Sequence, residues 1–145
     1  MNVKYKETIP EAKEYFNLFL STGWNKQYKA DQQELYNSLA NSWHSLSAYN
    51  QHKELIGFGR IVSDGVLYAF ICDMIIKPND QKKGIGTIIL NKLIQKCEGA
   101  NIRIIWLFAA SNKSEFYKKF GFLERPQNAP GMQLSLFKKR LQEYK

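Results

Sequence analysis

The residue types best suited to chemistry cluster in one short segment, Gln81-Lys82-Lys83-Gly84-Ile85-Gly86. It lies between an apolar run ending near Ile76 and a helical pattern starting near Gly84. The first N–H groups of a helix lack intrahelical partners, and with the helix dipole they attract an anion. Glycine lets a phosphate approach the backbone with no Cβ in the way. Lys82 and Lys83 add positive charge at the rim. A Gly-x-Gly pair also describes ordinary turns, so by itself the segment is either a phosphate cradle or a turn. It is not a Walker loop, since Gly-Lys-Ser/Thr is missing, and Ile89 or a neighbour fills the third glycine position of a dinucleotide fingerprint.

Asp73 is the second group of interest, because it places a carboxylate inside the apolar run Ala69 to Ile76. A buried, unpaired carboxylate is costly, so it should have a partner or a purpose. Arg60, on the preceding strand-like run, could pair with it. Cys72 and Cys97 read as buried, reduced thiols. His44 and His52 have no ligand spacing with them, so no metal is expected.

These groups must be positioned by elements whose periodicity is visible. Val3 to Thr8 begins with a short alternation. Pro10 then suits a helix start, and Ala12, Phe16, Phe19 and Leu20 recur at helical spacing until Gly23. A second helix runs from about Asp31, a plausible N-cap, to Ser42, with Leu35, Leu39 and Trp43 four apart. Strand-like runs follow at Ser45 to Tyr49, Glu54 to Val62 and Val66 to Ile76. Asp64-Gly65 between the last two is a hairpin signal, and the three should form an antiparallel meander. From Gly84, the residues Ile85, Ile88, Ile89, Leu93, Ile94 and Cys97 lie on one helical face. Residues 102–108 form a nearly continuous apolar strand, expected to be central and buried on both faces. A short helix spans about Lys113 to Phe120, and Phe122 and residues 132–137 supply the last strands. The order is that of an α/β fold built around one mixed sheet.

The chain has 145 residues with 44% hydrophobic content, which fits one globular domain spanning residues 1–145. No apolar run approaches the roughly 20 residues of a membrane span, and the N-terminus has no apolar signal core, so a soluble cytoplasmic protein is expected. The net charge of +8, from 21 basic and 13 acidic residues, suits either nucleic acid or a phosphate-bearing small ligand. The basic residues are dispersed, with the densest groups at Lys77 to Lys83 and Lys138 to Arg140, and no nucleic-acid motif or recognition helix accompanies them.

Taken together, the residues resemble the GNAT acetyltransferase superfamily. Its signature, Gln/Arg-x-x-Gly-x-Gly/Ala, is matched by Gln81, Gly84 and Gly86. Asp73 to Asp80 resembles the family's fourth strand and its exit. Glu115-Phe-Tyr-Lys-Lys-Phe-Gly-Phe resembles its fourth helix. The chain is also similar to a group of small bacterial members that carry Gly-Trp (Gly23-Trp24), Ile-Gly-Phe-x-Arg (Ile56 to Arg60) and Ala-Pro-Gly-Met (Ala129 to Met132). The resemblance covers nearly the whole chain.

It implies a mixed, mostly antiparallel central sheet with helices on both faces and a V-shaped cleft between strands 4 and 5. Acetyl-coenzyme A would lie in that cleft. Backbone groups of Met74, Ile75 and Ile76 would pair with the pantetheine arm. Gln81 and the amides of Lys82, Lys83, Gly84, Ile85, Gly86 and Thr87 would hold the pyrophosphate. An amine would attack the thioester directly, and Tyr117 would protonate the departing thiolate. Asp73 could bind the substrate's ammonium, accept its proton through a water, or simply pair with Arg60. Trp24 and Tyr28 would line the acceptor pocket, or pack against the core, and Arg60 would take part with Asp73 in binding the substrate; for Trp43 packing is expected. The family's cofactor-contacting asparagine has no match, since Ala110 stands at its place, and Asn112 reads as a helix N-cap.

The expected function is therefore N-acetylation of a small primary amine, with no nucleic-acid or membrane partner and a homodimer left open. Its rivals are a non-catalytic module that senses coenzyme A and an acetyltransferase acting on protein lysines or N-termini.

Overall fold

Alternating apolar residues and one tight turn build the middle of the sheet. The turn at Asp64-Gly65 is closed by the Asp64 carboxylate, which accepts the amides of Val66 and Leu67 at 2.8 Å and of Tyr68 at 3.2 Å. Gly65 takes φ +78, which its missing Cβ allows. The computed structural model describes residues 2–136. They divide into two units, one ending at Phe108 and the other beginning at Ala109.

The first unit holds β1 (Lys4–Lys6), α1 (Ala12–Leu20), α2 (Asn25–Tyr28), α3 (Gln32–Ala40), β2 (His44–Tyr49), β3 (Leu55–Ser63) and β4 (Tyr68–Ile76). A 3₁₀ turn (Pro78–Asp80), α4 (Ile85–Gly99) and β5 (Ile104–Trp106) complete it. The five strands pair in the order β1-β2-β3-β4-β5. The first three pairings are antiparallel and β4–β5 is parallel. The expected α/β class and mostly antiparallel sheet are therefore present.

Strand alternation puts helices on both faces. Phe58 and Ile75 pair across β3 and β4 and belong to one buried cluster with Tyr15, Leu18 and Phe19 of α1 and Leu35 and Leu39 of α3. On the other face, a Cβ at Gly57 would stand 3.1 Å from Ile89 of α4 and one at Gly59 would stand 2.9 Å from Leu93. The two glycines thus let α4 seat directly on β3. α3 begins with a full capping box: Asp31 Oδ1 accepts the Glu34 amide at 2.8 Å, and Glu34 Oε1 accepts the Asp31 amide at 3.1 Å.

Several expectations are corrected. The buried face of α1 is Tyr15, Leu18 and Phe19, whereas Leu20 is 45% exposed. The helix begins at Ala12 after the buried Pro10, with Glu11 at the N-cap. Trp43 lies beyond the end of α3 and donates its amide to Ile61 at 2.8 Å, so it leads into β2 rather than lying on a helix face. The one-turn helix α2 has little apolar periodicity and is held instead by Asn25, whose side chain bonds both the amide (2.9 Å) and the carbonyl (3.0 Å) of Ala30.

β5 is shorter than its apolar run and is the last strand of the sheet, with Ile104 and Trp106 each 44% exposed. The run looked central because it is continuously apolar, but among the described residues it pairs only with β4.

The second unit holds α5 (Ser114–Lys118). No strand forms at Phe122 or over 132–136, and Phe137 lies outside the described residues. An alternating pattern makes a strand only where a free edge accepts its backbone, and Met132, Leu134 and Leu136 remain exposed. Asn112 takes a left-handed φ of +63 ahead of α5, and Lys113 occupies the N-cap, so Asn112 is a turn residue and not the cap.

Candidate active site

The site is built where β4 outruns β5. The parallel pairing stops at Phe70–Trp106, while β4 continues to Ile76. Beyond Phe70 that edge of β4 has no strand partner among the described residues. The two strands therefore part within the first unit, as a cleft between strands 4 and 5 requires. Lys77 donates to the Ile56 carbonyl at 2.8 Å. By alternation the backbone of Ile75 then faces β3, and that of Met74 and Ile76 faces the open edge. Met74 and Ile76 thus present their backbone to the open edge, whereas the backbone of Ile75 is turned into the ladder.

The loop after β4 is fastened to it. Gln81 Nε2 donates to the Ile76 carbonyl at 3.1 Å, and Lys83 pairs with Asp80 at 3.4 Å. Lys82 and Gly84 are both left-handed, with φ +62 and +83. Gly84 is the N-cap of the 15-residue α4, and no side chain caps that end. The first amide to bond back is that of Ile88, to the Gly84 carbonyl at 3.2 Å. The amides of Ile85, Gly86 and Thr87 precede it and have no acceptor within the helix. Residues 81–84 are exposed, and a Cβ at Gly84 would meet nothing within 4 Å. An exposed, uncapped helix N-terminus with free space over its glycine and two lysines beside it fits a phosphate group. Ile85 is buried and anchors the helix beneath the loop.

Asp73 sits in a β-bulge. Phe58 pairs with Ile75 and Arg60 with Cys72, so Gly59 alone faces both Asp73 and Met74. Asp73 takes φ +54, a conformation that glycine favours and that aspartate tolerates better than most residues. Arg60 Nε donates to Asp73 Oδ2 at 2.6 Å, with the two side chains 16% and 19% exposed. Arg60 Nη1 also donates to the Ser38 carbonyl and to Ser42 Oγ, both at 3.2 Å. The guanidinium thus ties the bulge to the end of α3. Burial works to lower the Arg60 pKa, but Asp73, Cys72 and Tyr15 together outweigh it and the net direction is upward.

The neighbours of this pair are protonated. Burial, reinforced by Asp73, pushes the Cys72 thiol up to about 11, so it is no thiolate nucleophile near neutrality. Burial and then Asp73 also raise the Tyr15 phenol. Tyr15 is 1% exposed, and its hydroxyl makes no hydrogen bond of regular geometry, with Asp73 the acceptor within its reach. A buried, unsatisfied polar group of this kind costs about 1–3 kcal/mol. Tyr15 was missed in the sequence because the helical face was drawn through Phe16 and Leu20. The spacing of Tyr15, Leu18 and Phe19 carried the signal.

Trp24 packs edge-on against Phe19 at 5.8 Å and is partly buried against the core, and the Tyr28 ring is 6.1 Å from Phe19. Packing therefore accounts for part of Trp24, whereas Tyr28 is 49% exposed. The first unit thus brings Arg60 and Asp73 into contact and groups Trp24 with Tyr28. Tyr117 lies on α5 of the second unit, half-buried, with its ring 5.1 Å from Phe116 and 6.1 Å from Phe122. Burial raises its pKa, so the phenol is a proton donor rather than a base. Among the described residues, no group of three or more histidine, cysteine or acidic side chains could hold a metal ion, and no helix is long and apolar enough to cross a membrane.

Comparison with known proteins shows the family of the chain. An uncharacterized N-acetyltransferase, ycf52, of Pyropia yezoensis is 40% identical over 56% of this chain and 47% of its own length. The histone acetyltransferase TAP1 of Glycine max is 39% identical over 57% of this chain and 36% of its own length. The chain thus spans about half or less of the curated relatives it matches. A probable acetyltransferase from meticillin-resistant Staphylococcus aureus shares the fold with a TM-score of 0.81 at 22% identity, covering 92% of this chain and 99% of that one. Residues 9–122, which contain α1, the bulge at Asp73, the loop at Gln81 to Gly86 and α5, match the acetyltransferase (GNAT) family, and the chain belongs to that family.

Proposed function

We propose that the chain is an N-acetyltransferase that takes its acetyl group from acetyl-coenzyme A and passes it to a small primary amine. The observation that carries this reading is the uncapped α4 N-terminus beside the open edge of β4. Together they offer backbone donors for a pyrophosphate and a strand edge for an amide-bearing arm, the two recognition elements of coenzyme A. When bound, acetyl-coenzyme A supplies the thioester.

The chain's own groups do the rest. The amides of Ile85, Gly86 and Thr87, with Lys82 and Lys83, hold the phosphates, and the backbone of Met74 and Ile76 aligns the arm. Asp73 gives one carboxylate oxygen to Arg60 and keeps the other for the acceptor's ammonium, directly or through a water that carries its proton. Tyr117, kept protonated by burial, supplies a proton to the sulfur as the thiolate leaves.

A small acceptor is favoured because one carboxylate suffices to orient one ammonium, and Trp24 and Tyr28 provide aromatic surface for an apolar body. The net charge of +8 also disfavours encounter with a lysine-rich tail. A protein acceptor is the second reading, supported by the soybean relative named as a histone acetyltransferase. The test is competition at equal concentration among phenethylamine, spermidine, an aminoglycoside and a lysine peptide, in the native enzyme and in Asp73→Asn. The small-amine reading expects the peptide to be the poorest substrate and the variant to lose efficiency towards the best amine. Preference for the peptide would replace it.

A further inference from the structure

We propose that Tyr15 is a positioning residue for acyl transfer: its hydroxyl donates to the Asp73 oxygen that Arg60 leaves open and holds that carboxylate towards the acceptor. The inference rests on the role given to Asp73 above.

Its basis is a side chain whose ring is explained and whose hydroxyl is not. The ring of Tyr15 packs edge-on against Phe58 at 4.9 Å and tilted against Phe19 at 6.0 Å, in the cluster that also contains Ile75 of β4. Those contacts ask only for a phenyl group. Phenylalanine would make them without burying a polar atom, yet this position carries a phenol that is 1% exposed and whose oxygen makes no hydrogen bond of regular geometry. The large majority of buried side-chain polar atoms in folded proteins have a hydrogen-bond partner, so an exception asks for an explanation.

Phe58, against which the ring packs, lies two residues from Arg60 on β3 and so on the same face, which brings the phenol to the Arg60–Asp73 pair and to Cys72. Arg60 has only donors to offer. The Cys72 thiol stays protonated and is a weak acceptor. Asp73 is the strong acceptor of the three, and Arg60 occupies one of its oxygens. The bulge supplies the freedom to make the bond, because Asp73 stands outside the regular β3–β4 pairing with φ +54. A small rotation of the carboxylate about its side-chain bonds would meet the hydroxyl while keeping Arg60. Tyr15 and Arg60 would then grip Asp73 from α1 and β3 in turn, with the remaining lone pairs directed to the amine.

Four proteins test this: the native chain, Tyr15→Phe, Asp73→Asn and the double variant. Tyr15→Phe is expected to lower kcat/KM for the fastest of phenethylamine, spermidine and a lysine peptide about tenfold, with KM for acetyl-coenzyme A unchanged. In the Asp73→Asn background the same substitution should cost nothing more, because its route is gone. Native kinetics in Tyr15→Phe, or an equal loss in both backgrounds, would overturn the proposal. Melting temperatures of the same four proteins with coenzyme A decide the contact independently of turnover. Non-additive shifts support the hydroxyl–carboxylate bond, and additive shifts overturn it. If the native chain acetylates none of the amines, the acetyltransferase reading falls while the melting cycle still decides the bond.

Discussion

Arg60 and Asp73 meet at 2.6 Å across the bulge between β3 and β4, and the same guanidinium reaches the end of α3. One side chain therefore fixes a carboxylate, a strained backbone position and a helix terminus.

Removing the arginine should leave Asp73 without its cation and the α3 contacts without their donor. Arg60→Met is expected to destabilise the fold by about 1–3 kcal/mol, below the figure for a fully buried pair because both side chains retain some exposure. Asp73→Asn should cost less, since an amide can still accept from Arg60. Denaturant unfolding of both variants checks the order, and equal stability of Arg60→Met and the native chain would show the pair to be energetically idle.

Gly84 offers a cleaner test of the phosphate site. Its φ of +83 strains most side chains, but asparagine and aspartate tolerate that region. Gly84→Asn and Gly84→Asp should therefore fold alike, and the aspartate variant should bind coenzyme A at least tenfold more weakly than the asparagine variant through charge repulsion at the helix N-terminus. Calorimetric titration reads the difference, and equal affinities would place the phosphates elsewhere.

Tyr117 is asked to act only when charge forms on sulfur. Tyr117→Phe should lower kcat by about ten- to a thousandfold with little change in cofactor affinity. Full turnover in the variant would assign the phenol to packing with Phe116 and Phe122.

Cys72 makes the pH dependence of stability testable. Its thiol is raised from 9.0 to about 11 by burial, then by Asp73. Between those values the unfolded chain loses the proton and the folded chain keeps it, so stability falls as pH rises through this window. Below pH 9 the contribution is fully present. Cys72→Ala should show a shallower decline in melting temperature from pH 9 to 11 than the native chain, and identical slopes would contradict the assigned environment.

The elements that a single period could reveal were legible in the sequence. The meander, the Asp64-Gly65 turn, the Asp31 cap and the long apolar face of α4 all follow from local patterns. The loop between β4 and α4 was legible because Gly84 marks a left-handed backbone position at the start of a helix. The Arg60–Asp73 pair was legible as a charge that needed a partner. What escaped depended on distant surroundings. Tyr15 looked like one more residue of α1, since nothing local shows that its hydroxyl is buried near the Arg60–Asp73 pair. The strands expected at Phe122 and 132–137 carried the right alternation, but alternation cannot show whether an edge is there to receive it. The bulge at Asp73 also has no local signature, because a left-handed aspartate reads like any other residue of a strand.

The most direct test of the central claim is product formation from acetyl-coenzyme A and an amine panel, with the released thiol and the acetylated amine quantified together. The account expects the two to appear in equal amounts, only when an acceptor amine is present, and to fall together in Gly84→Asp. Tight coenzyme A binding without any acetylated product would contradict it and leave a binding module in its place.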